Sequence, residues 1–310
     1  MANICVLGSI NMDMVLRVKN IPRPGETILA DSLKKVPGGK GANQAVAASR
    51  LGGNVSMIGK VGCDEDGEYL VKRLHENNIN TENIFLDHNN PTGIAVINVS
   101  EDGQNSIIVI SGSNMAIQNE EILSVKRLIE NSDVLIAQFE TPISATIEAF
   151  KIAKKSGAIT ILNPAPARKM PDEILKYTDI IVPNETEAYE LTKVDVKDIE
   201  TAKLASKKFI EKGVKYVVVT MGDKGAVLVS EANFDFVPAF KVNAVDTTAA
   251  GDAFIGALGC MIVESKNLDY NVVKDAVMFG NKVSSIVVQR SGAQPSIPYL
   301  NEVLEVYKDK

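Results

Sequence analysis

Short apolar runs bounded by turn residues alternate along this chain with longer stretches whose apolar positions recur every three or four residues. The runs ICVLG, VSMIG, DVLIAQ, AITILN, DIIVPN and KYVVVT have the length and β-branched content of buried strands. Residues 43–51, 66–77, 118–131, 143–156 and 198–212 carry helical spacing. Parallel strands need a crossover, and the crossover helix has to land on a face of the sheet. The alternation therefore predicts a mainly parallel sheet with helices on both sides. There is no low-complexity linker and no internal repeat, so residues 1–310 are expected to form one α/β domain.

Two stretches break the alternation. Residues 13–37 are rich in Pro and Gly, while TGIAVINVS and NSIIVIS flank the turn EDGQ. Both read as strand pairs rather than crossover units. They predict a small second sheet, from about 13–37 and 92–112, laid over the main one as a lid.

Composition narrows the function class. With 45% hydrophobic and 23% charged residues and no Trp, the chain reads as globular rather than disordered or membrane-embedded. A net charge of -6 argues against a nucleic-acid partner, whose binders present a basic surplus or stripe. No basic segment precedes an apolar run at the start, where the first positive charge is Arg17. The longest apolar run, Phe254 to Val263, is broken by glycine and shorter than the roughly 20 residues of a spanning helix. A cytoplasmic location is expected. Cys5, Cys63 and Cys260 are far apart, have no C-x-x-C spacing and no His near them in sequence, and read as reduced thiols. The only histidines, His75 and His88, fall at a helix end and in a loop, which leaves acid–base chemistry to carboxylates and lysine.

In open α/β sheets ligands bind at the carboxyl ends of the strands. Those ends are polar here: Asn11 and Asp13, Gln138 and Glu140, Asn163, Asn184 and Glu187, Thr220 and Gly222. Any one of them could be polar merely because it reaches solvent, yet together they converge on one rim. The first strand ends in GSINMD, without the G-x-G-x-x-G of a dinucleotide fold, and no Walker A loop occurs. DTTAAGD offers another phosphate device. The small residues Ala249, Ala250 and Gly251 let backbone N–H groups approach an anion at the start of an apolar helix. Asp252 beside them reads either as a helix cap or as a base that takes a proton from an alcohol during phosphoryl transfer.

Two further motifs have double readings. In VPNETEAYE, Asn184 and Glu187 have capping-box spacing, and the same pair could order the water shell of magnesium. VPGGKGANQAVAASRLGG reads as a turn before a small-residue helix, or as a place where backbone amides, Lys40 and Asn43 meet the hydroxyls of a polyol.

These segments carry a resemblance. GSINMD (8–13), GGKGANQAVAA (38–48), NPAPAR (163–168), PNETEA (183–188), TMGDKG (220–225), VDTTAAGDAF (245–254) and GAQPSIP (292–298), in this order, resemble the motifs of the ribokinase-like carbohydrate kinases over nearly the whole chain. The resemblance implies a three-layer α/β sandwich with a mainly parallel central sheet and a β-sheet lid. It also implies ATP-dependent phosphorylation of the 5-hydroxyl of D-ribose. Asp252 is then expected to be the base, the backbone of Ala249, Ala250 and Gly251 the anion hole, and Lys40 a support for phosphate charge. Ribose would meet Asn11, Asp13, Gly39, Asn43, Glu140 and Asp252. ATP would meet Asn184, Thr220, Gly222, Gly225, Gly251 and Asn281, with Glu187 directed through water at magnesium. Potassium would sit near Asp246, Thr248, Val287, Arg290, Gly292 and Ser296, several acting through backbone carbonyls; Ser291 stands where the family often carries a basic residue. A homodimer joined through the lid is expected. The rivals are a kinase for deoxyribose, fructose or a nucleoside such as adenosine, and a catalytically silent sugar sensor. Polar, glycine-rich sugar-side motifs favour ribose over a nucleoside, and the intact Asp252 motif disfavours the sensor.

Overall fold

A computed structural model describes residues 3–102, 104–265 and 268–308. The expected parallel sheet forms around β1 (Asn3–Leu7), whose Ile4 and Val6 face one layer and Cys5 and Leu7 the other. That period of two makes both faces apolar, as a sheet covered on both sides requires. Parallel neighbours extend on one side through β4 (Asn54–Gly62) and β5 (Ile84–Asp87). On the other side they run through β8 (Val134–Gln138), β9 (Ile159–Asn163), β10 (Ile180–Ile181) and β11 (Tyr216–Thr220). An antiparallel hairpin, β12 (Gly225–Val229) and β13 (Phe234–Pro238), completes a 9-stranded sheet.

The helices cover the two faces. α1 (Lys40–Arg50), α2 (Glu65–Glu76), α8 (Ala250–Ser265) and α9 (Tyr270–Val287) share one core with the first face. α3 (Asn119–Ser124), α4 (Lys126–Glu130), α5 (Ile143–Ser156), α6 (Glu185–Thr192) and α7 (Ile199–Ile210) cover the second. α8 lies hard against α1 because residue 256 is Gly: a Cβ there would stand 2.6 Å from the Ala47 Cβ and 2.7 Å from the Gln44 carbonyl oxygen. This close approach brings the first turn of α8 to the first turns of α1. A final helix, α10 (Leu300–Val306), packs on α9.

The expected second sheet forms, with all four lid strands in it. β2 (Asn11–Val18) pairs antiparallel with β3 (Ser32–Gly38) and parallel with β6 (Gly93–Ser100), which carries β7 (Asn105–Ile110) on its outer edge. Its strands span 11–38 and 93–110, so β2 starts inside the GSINMD motif, two residues earlier than the sequence pattern predicts. The helix predicted over 118–131 is broken at Val125, where φ -99 and ψ 15 close α3. No helix among the described residues is long and apolar enough to cross a membrane.

Candidate active site

The carboxyl ends of β1 and β8, the start of β2 and the first turns of α1 and α8 meet at one place. Gly39 makes the turn into α1 with φ 92, and a Cβ there would lie 2.7 Å from the Asn11 amide nitrogen. Only glycine fits both the dihedral and the space. On α1, Lys40, Asn43 and Gln44 are spaced at i, i+3 and i+4, so they share the face turned to the rim. Asn43 Nδ2 donates to Asp252 Oδ2 at 3.0 Å and Gln44 Nε2 to Asp252 Oδ1 at 3.1 Å. Asp252 is thus a buried carboxylate with an amide donor on each oxygen, and neither donor belongs to its own helix. It does not cap α8; it lies inside the first turn. Asn43 Oδ1 is buried without a protein partner, an acceptor left for a ligand hydroxyl.

Four carboxylates, Asp13, Glu140, Asp252 and Glu187, act on one another and on the Lys40 ammonium here. Burial, followed by the fields of Glu140 and Asp252, pushes Asp13 up to about 7. Burial opposes the Lys40 charge, but Asp252, Glu140 and Glu187 together outweigh it and hold the ammonium above its usual value. Glu140 is fixed by Ser9 Oγ, which donates to its Oε2 at 2.5 Å, and by the Lys40 amide at 3.3 Å. Asn114, in the turn 112–116 after the lid, donates from Nδ2 to Asn11 Oδ1 at 2.7 Å and brackets Ile10 with its remaining bonds.

At the start of α8, Ala249 has φ 60, a left-handed conformation that costs a non-glycine residue about 1 kcal/mol or more. The Ala250 amide donates to Thr247 O at 3.2 Å, and the Ala253 amide to Ala249 O at 2.8 Å. The intervening amides of Gly251 and Asp252 are first-turn groups with no acceptor inside the helix. Ser284 of α9 steadies this turn by donating to Ala250 O at 2.9 Å.

Along the rim, Asn184 and Glu187 do form the capping box, with Glu187 N on Asn184 Oδ1 at 2.8 Å and Asn184 N on Glu187 Oε2 at 2.9 Å. Burial raises Glu187 above its ordinary value in spite of the Asn184 backbone bond and Lys40. The capping role and proximity to the charged cluster therefore coexist. Thr220 bridges to Asn184 and donates its amide to Pro183 O at 3.0 Å. Gly222 and Gly225 take the left-handed turn between β11 and β12, with φ 54 and 124. Asn281 is buried on α9 and commits its NH2 to the carbonyls of Val237 and Pro238, both at 3.1 Å.

The loops expected to hold a cation also come together. Asp246 Oδ1 accepts from Thr248 N and Oγ1 at 2.9 and 2.6 Å, and its Oδ2 accepts from Gly292 N at 2.8 Å. Burial opposes the Asp246 charge, but these bonds and Arg17 more than offset it and hold the carboxyl below its usual value. Val287 O accepts the Arg290 amide at 3.0 Å, while the Arg290 guanidinium pairs with Glu302 at 2.6 Å. Ser296 Oγ donates to Ala293 O at 2.7 Å, which leaves its lone pairs open.

Sequence reasoning missed Ser9, Gln44 and Asn114 as contributors. Ser9 and Gln44 lie inside motifs quoted for their neighbours, and Asn114 has no signal beyond its Gly-Ser-Asn turn. It also kept Cys63 apart from the histidines, whereas the fold sets Cys63 Sγ 3.3 Å from His88 Nδ1 at the surface. Among the described residues no group of three His, Cys, Asp or Glu side chains could hold a metal ion.

Buried carboxylates and amides suit a polyol, and exposed first-turn amides beside an acid suit a phosphoryl group. A fold that joins the two under a lid is that of a sugar kinase. The chain belongs to the pfkB family of carbohydrate kinases, which it matches over residues 1–300. It is 44% identical over 308 residues to the bifunctional ribokinase/ribose-5-phosphate isomerase A of Fructilactobacillus sanfranciscensis, spanning 99% of this chain but only 56% of that protein. It is 42% identical over 304 residues to the ribokinase of Staphylococcus aureus, covering 98% of this chain and 99% of that one. The ribokinase of Arabidopsis thaliana, solved with ribose and ATP, has the same fold at a TM-score of 0.91 and 32% identity, with 100% of each chain covered.

Proposed function

We propose that this chain transfers the γ-phosphoryl group of ATP to the 5-hydroxyl of D-ribose, with Asp252 as general base. The observation that carries the reading is Asp252 itself: buried, held by Asn43 and Gln44, and set in the first turn of α8 beside amides without helical acceptors. The 5-hydroxyl oxygen attacks the γ-phosphorus, the bond to the bridging oxygen of ADP breaks, and the hydroxyl proton passes to Asp252. The amides of Ala249, Ala250 and Gly251 would supply donors for charge on the moving group; the Ala250 amide donates to Thr247 O at 3.2 Å and would have to exchange that bond for a phosphoryl oxygen. Lys40 adds a positive charge from the sugar side. Asn11, Asp13, Gly39, Asn43 and Glu140 hold the ribose hydroxyls, and a missing hydroxyl would leave one of these buried groups unpaired.

Asn184, Thr220, Gly222, Gly225 and Asn281 line the run of rim assigned to ATP; Asn281 acts by fixing the end of β13 rather than by donating. Glu187 suits magnesium through water: its oxygens already accept from Asn184, and that ion keeps most of its hydration shell. When bound, magnesium neutralises phosphate charge. The hydroxyl of Ser296 and the carboxylate of Asp246, held below its usual value, offer oxygens suited to potassium, and the backbone carbonyls of Thr248, Val287, Arg290 and Gly292 would complete the set. Potassium would steady the loop that leads into α8.

The lid also supports a homodimer. Ile107, Ile108, Val109 and Ile110 on the edge strand β7 are 47–59% exposed, an apolar edge that a second copy would cover. The test of function is ATP turnover with magnesium and potassium in the presence of D-ribose, 2-deoxyribose, fructose or adenosine. Selective turnover of ribose is expected. Preference for another acceptor would overturn the sugar assignment, and inactivity with all would favour a silent sensor.

A further inference from the structure

We infer that Asn163 and Gln44 form a chain of amides of fixed polarity that positions the Asp252 carboxylate, an inference resting on Asp252 being the base. The chain starts at the Val182 carbonyl, just beyond β10, which can only accept. It takes Asn163 Nδ2 at 3.1 Å, so Asn163 Oδ1 must point the other way. That oxygen in turn faces Gln44, which has to present its NH2: Nε2 stands 3.3 Å from Asn163 Oδ1 and 3.1 Å from Asp252 Oδ1. Turning either amide over would set oxygen against oxygen, so the Val182 carbonyl dictates that Asp252 meets a donor.

The far side of Gln44 obeys the same logic. Its Oε1 accepts from Gln138 Nε2 at 2.6 Å, and the chain ends on Gln138 Oε1, a buried acceptor without a protein partner. That atom lies against Gly8, where a Cβ would come within 2.1 Å of it. The unsatisfied acceptor thus falls at the end remote from Asp252, and the satisfied end is the one that faces the base. Val182, Asn163, Gln138 and Gly8 follow or end β10, β9, β8 and β1, which are adjacent in the sheet. The rim of the sheet therefore sets the plane of a carboxylate carried by α8, with Asn43 fixing the second oxygen. Asn163 touches Asp252 only through Gln44, and both are positioning residues.

The test uses Gln44→Met, which keeps shape and removes the donor, and Asn163→Leu, which leaves every contact of Asp252 in place but removes the polarity lock. The readouts are the single-turnover rate of ribose phosphorylation, KM for both substrates and Tm, with Asp252→Asn in parallel. The charged groups around Asp252, namely Lys40 on α1, Asp13 on β2, Glu140 after β8 and Glu187 on α6, are unchanged in both variants. Gln44→Met is expected to slow transfer about tenfold with KM within about twofold, because a displaced base loses alignment with the hydroxyl. Asn163→Leu is expected to do the same to a smaller extent, about threefold. Wild-type transfer rates in both variants, or a lowered Tm with transfer rate and KM worsened together, would overturn the positioning chain while Asp252→Asn remains inactive. An active Asp252→Asn would instead remove the base assignment. If Gln44→Met does not fold, Asn163→Leu decides alone.

Discussion

Asp13 shares its surroundings with Glu140 and Asp252, and burial plus those two charges push it up to about 7. Sugar hydroxyls that donate to it favour the ionised form, so binding releases its proton. The kcat/KM for ribose is expected to fall by up to about tenfold per pH unit below about pH 7, with Asp13→Asn giving a weak, flat profile; a flat wild-type profile would remove Asp13 from the sugar site. The same group acts on stability. Its folded value lies above the roughly 3.9 of an unfolded Asp, so its contribution is full below that value and lost as pH rises through about 7. Asp13→Asn should therefore raise the Tm of the ligand-free protein more at pH 8 than at pH 5. At this scale Asp252, Lys40 and Asn43 were legible because they stand in compact motifs. Gln44 and Asn114 were not, since their bonds to Asp252 and Asn11 join residues 208 and 103 positions apart and only the fold brings them together.

Among elements, the pair α1 and α8 decides the geometry, and Gly256 decides the pair. Gly256→Val puts a branched side chain where a Cβ alone meets Ala47 and the Gln44 carbonyl. Overpacking of this kind costs about 1–3 kcal/mol, and the displaced α8 carries Asp252 away from Asn43 and Gln44. A lowered Tm together with a larger loss of kcat than of sugar affinity is expected from melting curves and steady-state kinetics. The parallel strands and α5 were readable because continuous apolar runs and a strict three-to-four spacing have few alternatives. The β12–β13 hairpin was not recognised: its turn, Ser230 to Asn233, contains Glu and Ala where the common two-residue hairpins carry Gly. The single helix over 118–131 failed at Val125 because periodicity continues across a break that keeps the same face buried.

For the whole molecule, the proposed function makes the lid join recognition to assembly. Its inner end begins at Asn11, one of the residues proposed to hold ribose, and its outer edge exposes Ile107 to Ile110. Ile108→Lys is expected to shift the protein from dimer to monomer in light scattering and to weaken ribose affinity; a wild-type that is monomeric at micromolar concentration would refute the lid dimer. The sequence pattern showed that strands would leave the main sheet, but not that β2 and β6 pair in parallel to make one lid, because that pairing joins segments about 80 residues apart. The most direct measurement is single-turnover phosphorylation of D-ribose by Asp252→Asn, with binding of ribose and ATP followed separately. Binding within about threefold of wild type and transfer slowed by about 10² to 10⁴-fold is the expected result, and transfer at the wild-type rate would contradict it.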